Sequence, residues 1–424
     1  MSVDRAILRL ALPSIVSNIT VPLLGMADTA IVGHMGNAAF IAAISLGTTA
    51  FSMIYWVFSF LRMSTSGLVA QAYGARDKAM AADVMRRSLA LSIGIAFFLL
   101  ICQQPLFRVT AFLMHARTDV LPYLHTYFFT AIWGAPSILL NYSLSGWFIG
   151  QQDTRTPMWA AILQNIANIL LSLYFVYGLH GGIAGVAWGT VSGTWTGTLF
   201  MIFRLNIRFL LKPTDRKVRN HLLSTNVDIF LRTLCLVCVT VFFTRAGSMQ
   251  VQGILEANTL LMQFFVLFSF FADGFANAGE ALAGNYQGAN DKRGLRTLVR
   301  HLHRWGLGMA LCFVLLYTLS GPLVLSFFTN QSTVRNLAIN YLPWLCLLPL
   351  TSYAAFIWDG IFIGLTRSRQ MLWSMLAGMF TFFLLWFTLH PLLNNHALWL
   401  AFDAYLGMRG LAQWKMTRSF QELA

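Results

Sequence analysis

PSIVSNITVPLLGMADTAIVGHMG, residues 13–36, is apolar over a length that can cross a bilayer, yet it carries one carboxylate, Asp28, close to its far end. Spanning the hydrocarbon core takes about 20 mostly apolar helical residues. An ionisable group at that depth is costly, so such groups mark ion or proton paths or substrate contacts. Asp28 is therefore the first candidate functional residue. Pro13 and Pro22 lie in the same stretch. Each proline removes a backbone donor and favours a bend, and an acid beyond a bend can couple its charge to the shape of the helix.

The rest of the chain has the same character. Of its 424 residues 57% are hydrophobic and 10% charged, with a mean hydropathy of +0.64, whereas about a quarter of a soluble domain is charged. This is the composition of a polytopic membrane protein. The first residues, MSVDRAILRLALP, run straight into the first span without a small-residue cleavage site, so no removable signal is expected. All five cysteines lie in apolar runs. Cys235 and Cys238 have the spacing of a redox or zinc pair, but with no second ligand pair they read as helix packing.

Apolar runs fall near residues 7–33, 38–70, 82–103, 118–148, 156–178 and 182–205, then 227–247, 252–285, 295–320, 333–363, 369–390 and 394–414. The expected fold is all-α: twelve transmembrane helices in two pseudo-symmetric six-helix lobes, residues 1–205 and 227–424, joined by a basic cytoplasmic linker at 206–226. With the N-terminus inside, twenty-five of the twenty-nine Lys and Arg residues fall on or toward one side; Arg108, Arg117, Arg245 and Arg335 do not. The positive-inside rule then places both termini in the cytoplasm of a bacterial plasma (inner) membrane. It also accounts for the net charge of +14 without a nucleic-acid partner.

An internal repeat supports the two lobes. At a shift of 214 residues Gly74, Asp77, Lys78, Tyr127, Gly146, Phe148, Gly150 and Trp159 fall on Gly288, Asp291, Lys292, Tyr341, Gly360, Phe362, Gly364 and Trp373. An even number of helices per copy leaves both copies in one orientation, related by an axis along the membrane normal, with a site between or within them. Arg62 precedes Gly74 by twelve residues and Asp273 precedes Gly288 by fifteen. They form a candidate opposite-charge gate pair, one residue per lobe.

Two six-helix lobes, a basic linker and an intramembrane acid describe an alternating-access transporter. At this point the motifs become specific. DTAIVGHMG after Pro13, GLVAQAYGARD, GWFIGQQDTRTP, GEALAGNYQGAND and WDGIFIGLT, in this order over nearly the whole chain, resemble the MATE family of multidrug and toxin extrusion antiporters. FLRMSTSGLVAQ and DIFLRTL resemble its DinF-like branch. The resemblance implies a proton-coupled efflux antiporter for amphipathic organic cations, with Asp28 as the proton- or cation-coupling acid. It implies a supporting polar network at Tyr127, Asn168, Ser172 and Thr190. Ser172 departs from the family, where an Asp is frequent, which puts a two-carboxylate mechanism in doubt. Met26, Met53 and Phe60 are candidate cleft residues, their soft side chains suiting varied apolar cations.

No catalytic or metal-ligating cluster is evident, so an enzyme is not expected, nor is any cofactor beyond the driving gradient. The expected partners are a small amphipathic cation, protons and membrane lipid, with the protein acting as a monomer. Two alternatives stay open. Sodium coupling would use acids of the second lobe, where Glu256 and Asp359 read as capping or interfacial groups and Glu280 as structural. A flippase for a lipid-linked precursor would need several cations in its cleft, and only Arg62 fits that description.

Overall fold

The computed structural model describes residues 2–35, 38–114, 117–205, 217–328 and 331–417, and among these all regular structure is helical. The helices are α1 (Val3–Gly33), α2 (Ala38–Val57), α3 (Phe60–Gly74), α4 (Lys78–Ile101), α5 (Gln103–Leu113), α6 (Leu121–Ala131), α7 (Ala135–Gly150), α8 (Arg155–Leu173) and α9 (Gly182–Arg204). After residues outside the described set come α10 (Lys217–Ser248), α11 (Ile254–Gly288), α12 (Lys292–Phe328), α13 (Ser332–Gly364), α14 (Ser368–Leu393) and α15 (Asn395–Thr417). In a bilayer every backbone polar group must find a partner within the protein, which favours helices of this kind.

Nine helical stretches among the described residues are long and apolar enough to cross a membrane. The other three expected spans depart from that simple form for local reasons. The 118–148 run is broken by a 3-10 turn at Ile132–Gly134. Pro136 follows that turn and cannot donate to the carbonyl of Ile132, so the helix tightens there. The 182–205 run, α9, is rich in Gly and Thr, and the 394–414 run, in α15, contains Asp403 and Arg409. The 38–70 run also divides: Phe58 and Ser59 bond back to Tyr55 and Trp56 in a tight turn between α2 and α3.

The chain forms two compact units. One comprises residues 16–73 and 77–223; the other comprises 1–15, 74–76 and 224–424. Helix α1 thus begins in one unit and ends in the other. Residues 206–216 of the expected linker lie outside the described residues. Its remainder, KVRNHLLSTN, is the first part of α10, as a stretch without Pro or Gly allows.

The repeat is present in the backbone itself. Among the described residues six that are not glycine have positive φ: Arg76, Gln152, His180, Asn290, Thr366 and Asn394. They form three pairs separated by 214 residues. Glycine contacts repeat in the same register. A Cβ at Gly146 would lie 2.5 Å from the carbonyl oxygen of Arg62, and one at Gly360 would lie 2.2 Å from that of Ala276. At Gly150 and Gly364 the clashes are with the carbonyls of Ser66 and Glu280. In each unit, then, two helices approach backbone to backbone at equivalent points, the small-residue packing that membrane helices use when apolar burial offers little driving force.

Candidate functional site

Asp28 lies in α1 and is only 2% exposed. The site around it is built by α8 and α9, which are held close by a glycine stripe at every fourth residue of α9: Gly185, Gly189, Gly193 and Gly197. A Cβ at Gly193 would meet the carbonyl of Gln164 at 2.8 Å, and one at Gly197 would meet that of Ala160 at 2.8 Å. This closeness puts Asn168 of α8 within bonding range of Thr190 of α9. Asn168 Nδ2 donates to Thr190 Oγ1 at 3.1 Å, and the Thr190 hydroxyl, shared with the Val186 carbonyl, points at Asp28 Oδ2, also at 3.1 Å. The chain Asn168, Thr190, Asp28 orients one carboxylate oxygen. Asp28 Oδ1 has no hydrogen-bond partner among the described residues.

The other residues expected here are placed differently. Ser172 is buried, but its hydroxyl makes no hydrogen bond among the described residues. It is wedged against α9 at Gly189, where a Cβ would come within 2.7 Å of the Ser172 Cα. Ser172 therefore fills the α8–α9 seam and does not join the network, a correction to the sequence reading. Tyr127 of α6 is buried with its ring over Gly47, and no hydrogen bond ties it to Asp28.

Asp28, Thr190 and Tyr127 line one cavity of about 730 Å³, together with Pro22, Met53 and Trp56. Asp28 is the single charged residue in that lining among the described residues. Met26 is exposed and Phe60 is buried against Phe58, and neither lines this cavity. Helix α1 is continuous through Pro13 and Pro22. Arg62 is half-buried in α3, and Asp273 is exposed on α11. They belong to different units.

In the second unit the structure shows two acids in new roles. Asp359 does not cap a helix end. It is 7% exposed and is held by Arg232 of α10, by Arg409 Nη2 at 2.6 Å and by Gln413 Nε2 at 2.5 Å. The cluster ties α10, α13 and α15 and makes Arg232 and Arg409 buried cations, whereas Arg62 is half-buried. Glu280 is buried in α11, with its backbone against Gly364, and Glu256 lies in the first turn of α11. Asp403 is 3% exposed and accepts from Thr351 at 2.9 Å, with Oδ2 unpartnered among the described residues. Asp403, like Asp28, is an acid within an apolar run, and that pattern is the signal by which the sequence marks it.

Comparison with known proteins is consistent in kind. The MatE family profile matches residues 13–174 and 224–393. DNA damage-inducible protein F of Escherichia coli (strain K12) is 36% identical over 423 residues, covering 97% of this chain and 91% of that protein. A probable multidrug resistance protein NorM of Photorhabdus laumondii is 23% identical over 391 residues, covering 88% and 84%. Among solved structures, a MATE protein in its bent conformation superposes with a TM-score of 0.89 at 20% identity, over 99% of this chain and 95% of that one. An outward-facing multidrug resistance MATE family transporter gives 0.89 at 20% identity, over 99% and 96%.

Proposed function

The chain belongs to the MatE family and is a membrane transporter rather than an enzyme, and from that premise we propose that it is an efflux antiporter exporting amphipathic organic cations in exchange for protons. The observation that carries this reading is Asp28: one buried carboxylate, oriented by Thr190, in a cavity otherwise lined by neutral residues. The names of its relatives, multidrug resistance proteins among them, support the substrate class.

Ionised, Asp28 supplies the one negative charge to which a cation in the cavity responds, and Trp56, Tyr55 and Tyr127 offer aromatic faces that attract cations. Protonated, it is neutral and that attraction is lost. One carboxylate thus serves proton and substrate in turn, and a proton taken up from outside releases the substrate outward. The Thr190 hydroxyl, 3.1 Å from Asp28 Oδ2, orients the carboxylate toward the cavity chemistry. The charge distribution along the sequence supports a plasma-membrane location with both termini cytoplasmic.

The test is flux in proteoliposomes with a pH gradient or a sodium gradient imposed separately. A pH gradient alone should drive movement of a fluorescent organic cation. Flux driven by sodium alone would overturn proton coupling, and no flux with either gradient would overturn the antiporter reading.

A further inference from the structure

A cavity of about 1020 Å³ lies in the second unit between α12, α13 and α15, and neither Asp359 nor Asp403 lines it, although Thr351, which bonds Asp403, does. Its chemistry is the reverse of the Asp28 cavity. Arg296, Arg300 and Arg304 of α12 line one wall, four residues apart and so on one face of the helix. Trp358 and Trp414 line the others. No acid is among the lining residues. All three arginines are exposed, and none makes a salt bridge among the described residues. Asp4, the acid near Arg304, is already bonded to His301 Nδ1 and Trp305 Nε1 at 2.8 and 2.9 Å.

Beyond Arg304 the same face of α12 turns apolar. Leu307, Leu311 and Leu315 are 40%, 52% and 61% exposed. At 1.5 Å per residue, Arg304 and Leu315 are about 16 Å apart, close to the roughly 15 Å half-thickness of a bilayer's hydrocarbon core. The groove therefore offers three cations that make no salt bridge among the described residues, two indole rings of the kind found at membrane interfaces, and beyond Arg304 a strip of leucine one leaflet long. We propose that it holds one anionic phospholipid, with the phosphate among Arg296, Arg300 and Arg304 and an acyl chain along Leu307, Leu311 and Leu315. Basic pockets between membrane helices bind such headgroups, and positive charge with matching apolar length selects a lipid over a free anion.

Gly407 permits a test that leaves charge untouched. It lines the groove, and a Cβ there would meet nothing closer than Thr351 at 4.0 Å, so the branch point of Gly407→Leu has room and its side chain takes up groove volume. The experiment is native mass spectrometry of the full chain, purified in detergent and exposed in parallel to phosphatidylglycerol, phosphatidylcholine and inorganic phosphate. The wild-type protein should retain one phosphatidylglycerol in preference to phosphatidylcholine and should retain no phosphate. Retention should fall at least tenfold in Arg296→Gln/Arg300→Gln/Arg304→Gln and in Gly407→Leu, each checked as a single peak by size exclusion. Arg293→Gln, at the same helix end but outside the groove, should behave as wild type. Equal retention of both lipids, retention of phosphate alone, or undiminished binding in Gly407→Leu would each overturn the proposal.

Discussion

Replacing Gly189 by Ala should damage both the stability of the protein and the geometry at Asp28, although residue 189 touches no charged group. The new Cβ would lie 2.7 Å from the backbone N and Cα of Ser172, where ordinary contact begins at 3.4 Å, so α8 and α9 must separate by about 0.7 Å. Overpacking of this kind costs about 1–3 kcal/mol, or roughly 2–12 °C of melting temperature for a unit of some 200 residues. Thr190 is the next residue, and its hydroxyl is 3.1 Å from Asp28 and 3.1 Å from Asn168. A 0.7 Å displacement takes one of these bonds past the distance at which it counts as a bond. A hydrogen bond to a charged group is worth about 1.5–3 kcal/mol, so coupled transport should fall by roughly ten-fold or more. The assays are thermal unfolding in detergent and gradient-driven flux in liposomes, with Gly94→Ala as control because nothing lies within 4 Å of its Cβ position. If Gly189→Ala melts and transports like Gly94→Ala, the account of the α8–α9 seam is wrong.

Two further outcomes are expected. Asp28→Asn should fold normally and lose pH-gradient-driven flux, since it keeps shape and acceptor but not the proton site, while Ser172→Ala should retain coupling because Ser172 bonds to nothing in the network; equal loss in both refutes the assignment. Asp359→Asn should destabilise the protein by about 3–5 kcal/mol, the cost of leaving buried charges unpaired, measured as a fall in melting temperature, and Asp359→Leu with Arg232→Met and Arg409→Met should recover most of it.

The repeat was legible because its anchors are residues with special backbone needs. Gly146 and Gly360 permit backbone contact, and Asp77 and Asp291 each accept from the amide three residues on, so any copy must keep them. Asp28 was legible because a carboxylate in an apolar run is conspicuous. Its partners Asn168 and Thr190 were not legible from pattern alone, since uncharged polar residues are common in such helices. The signal that brings them together is the stripe from Gly185 to Gly197, whose period of four marks the face that α8 covers. The pairing of Arg232 and Arg409 is not legible because each lies in a run that reads as apolar, and what neutralises them, Asp359, is distant in sequence. Pairing between remote positions is set by tertiary packing, which a reading of successive windows does not contain.

The N-terminal half of α1 is synthesised well before the residues it packs against. Asp4 bonds to His301 and Trp305, and Ile15 fills the space over Gly274. At a synthesis rate of about 5–20 residues per second, Asp4 waits roughly 15–60 s for its partners to be made. During that interval the nascent first helix sits in the bilayer with a docking face covered only by lipid or by the insertion machinery. A chain that stalls before residue 305 thus exposes an unfinished surface on a helix already made, the kind of mark by which quality-control proteases can distinguish an abandoned membrane protein from one still in production.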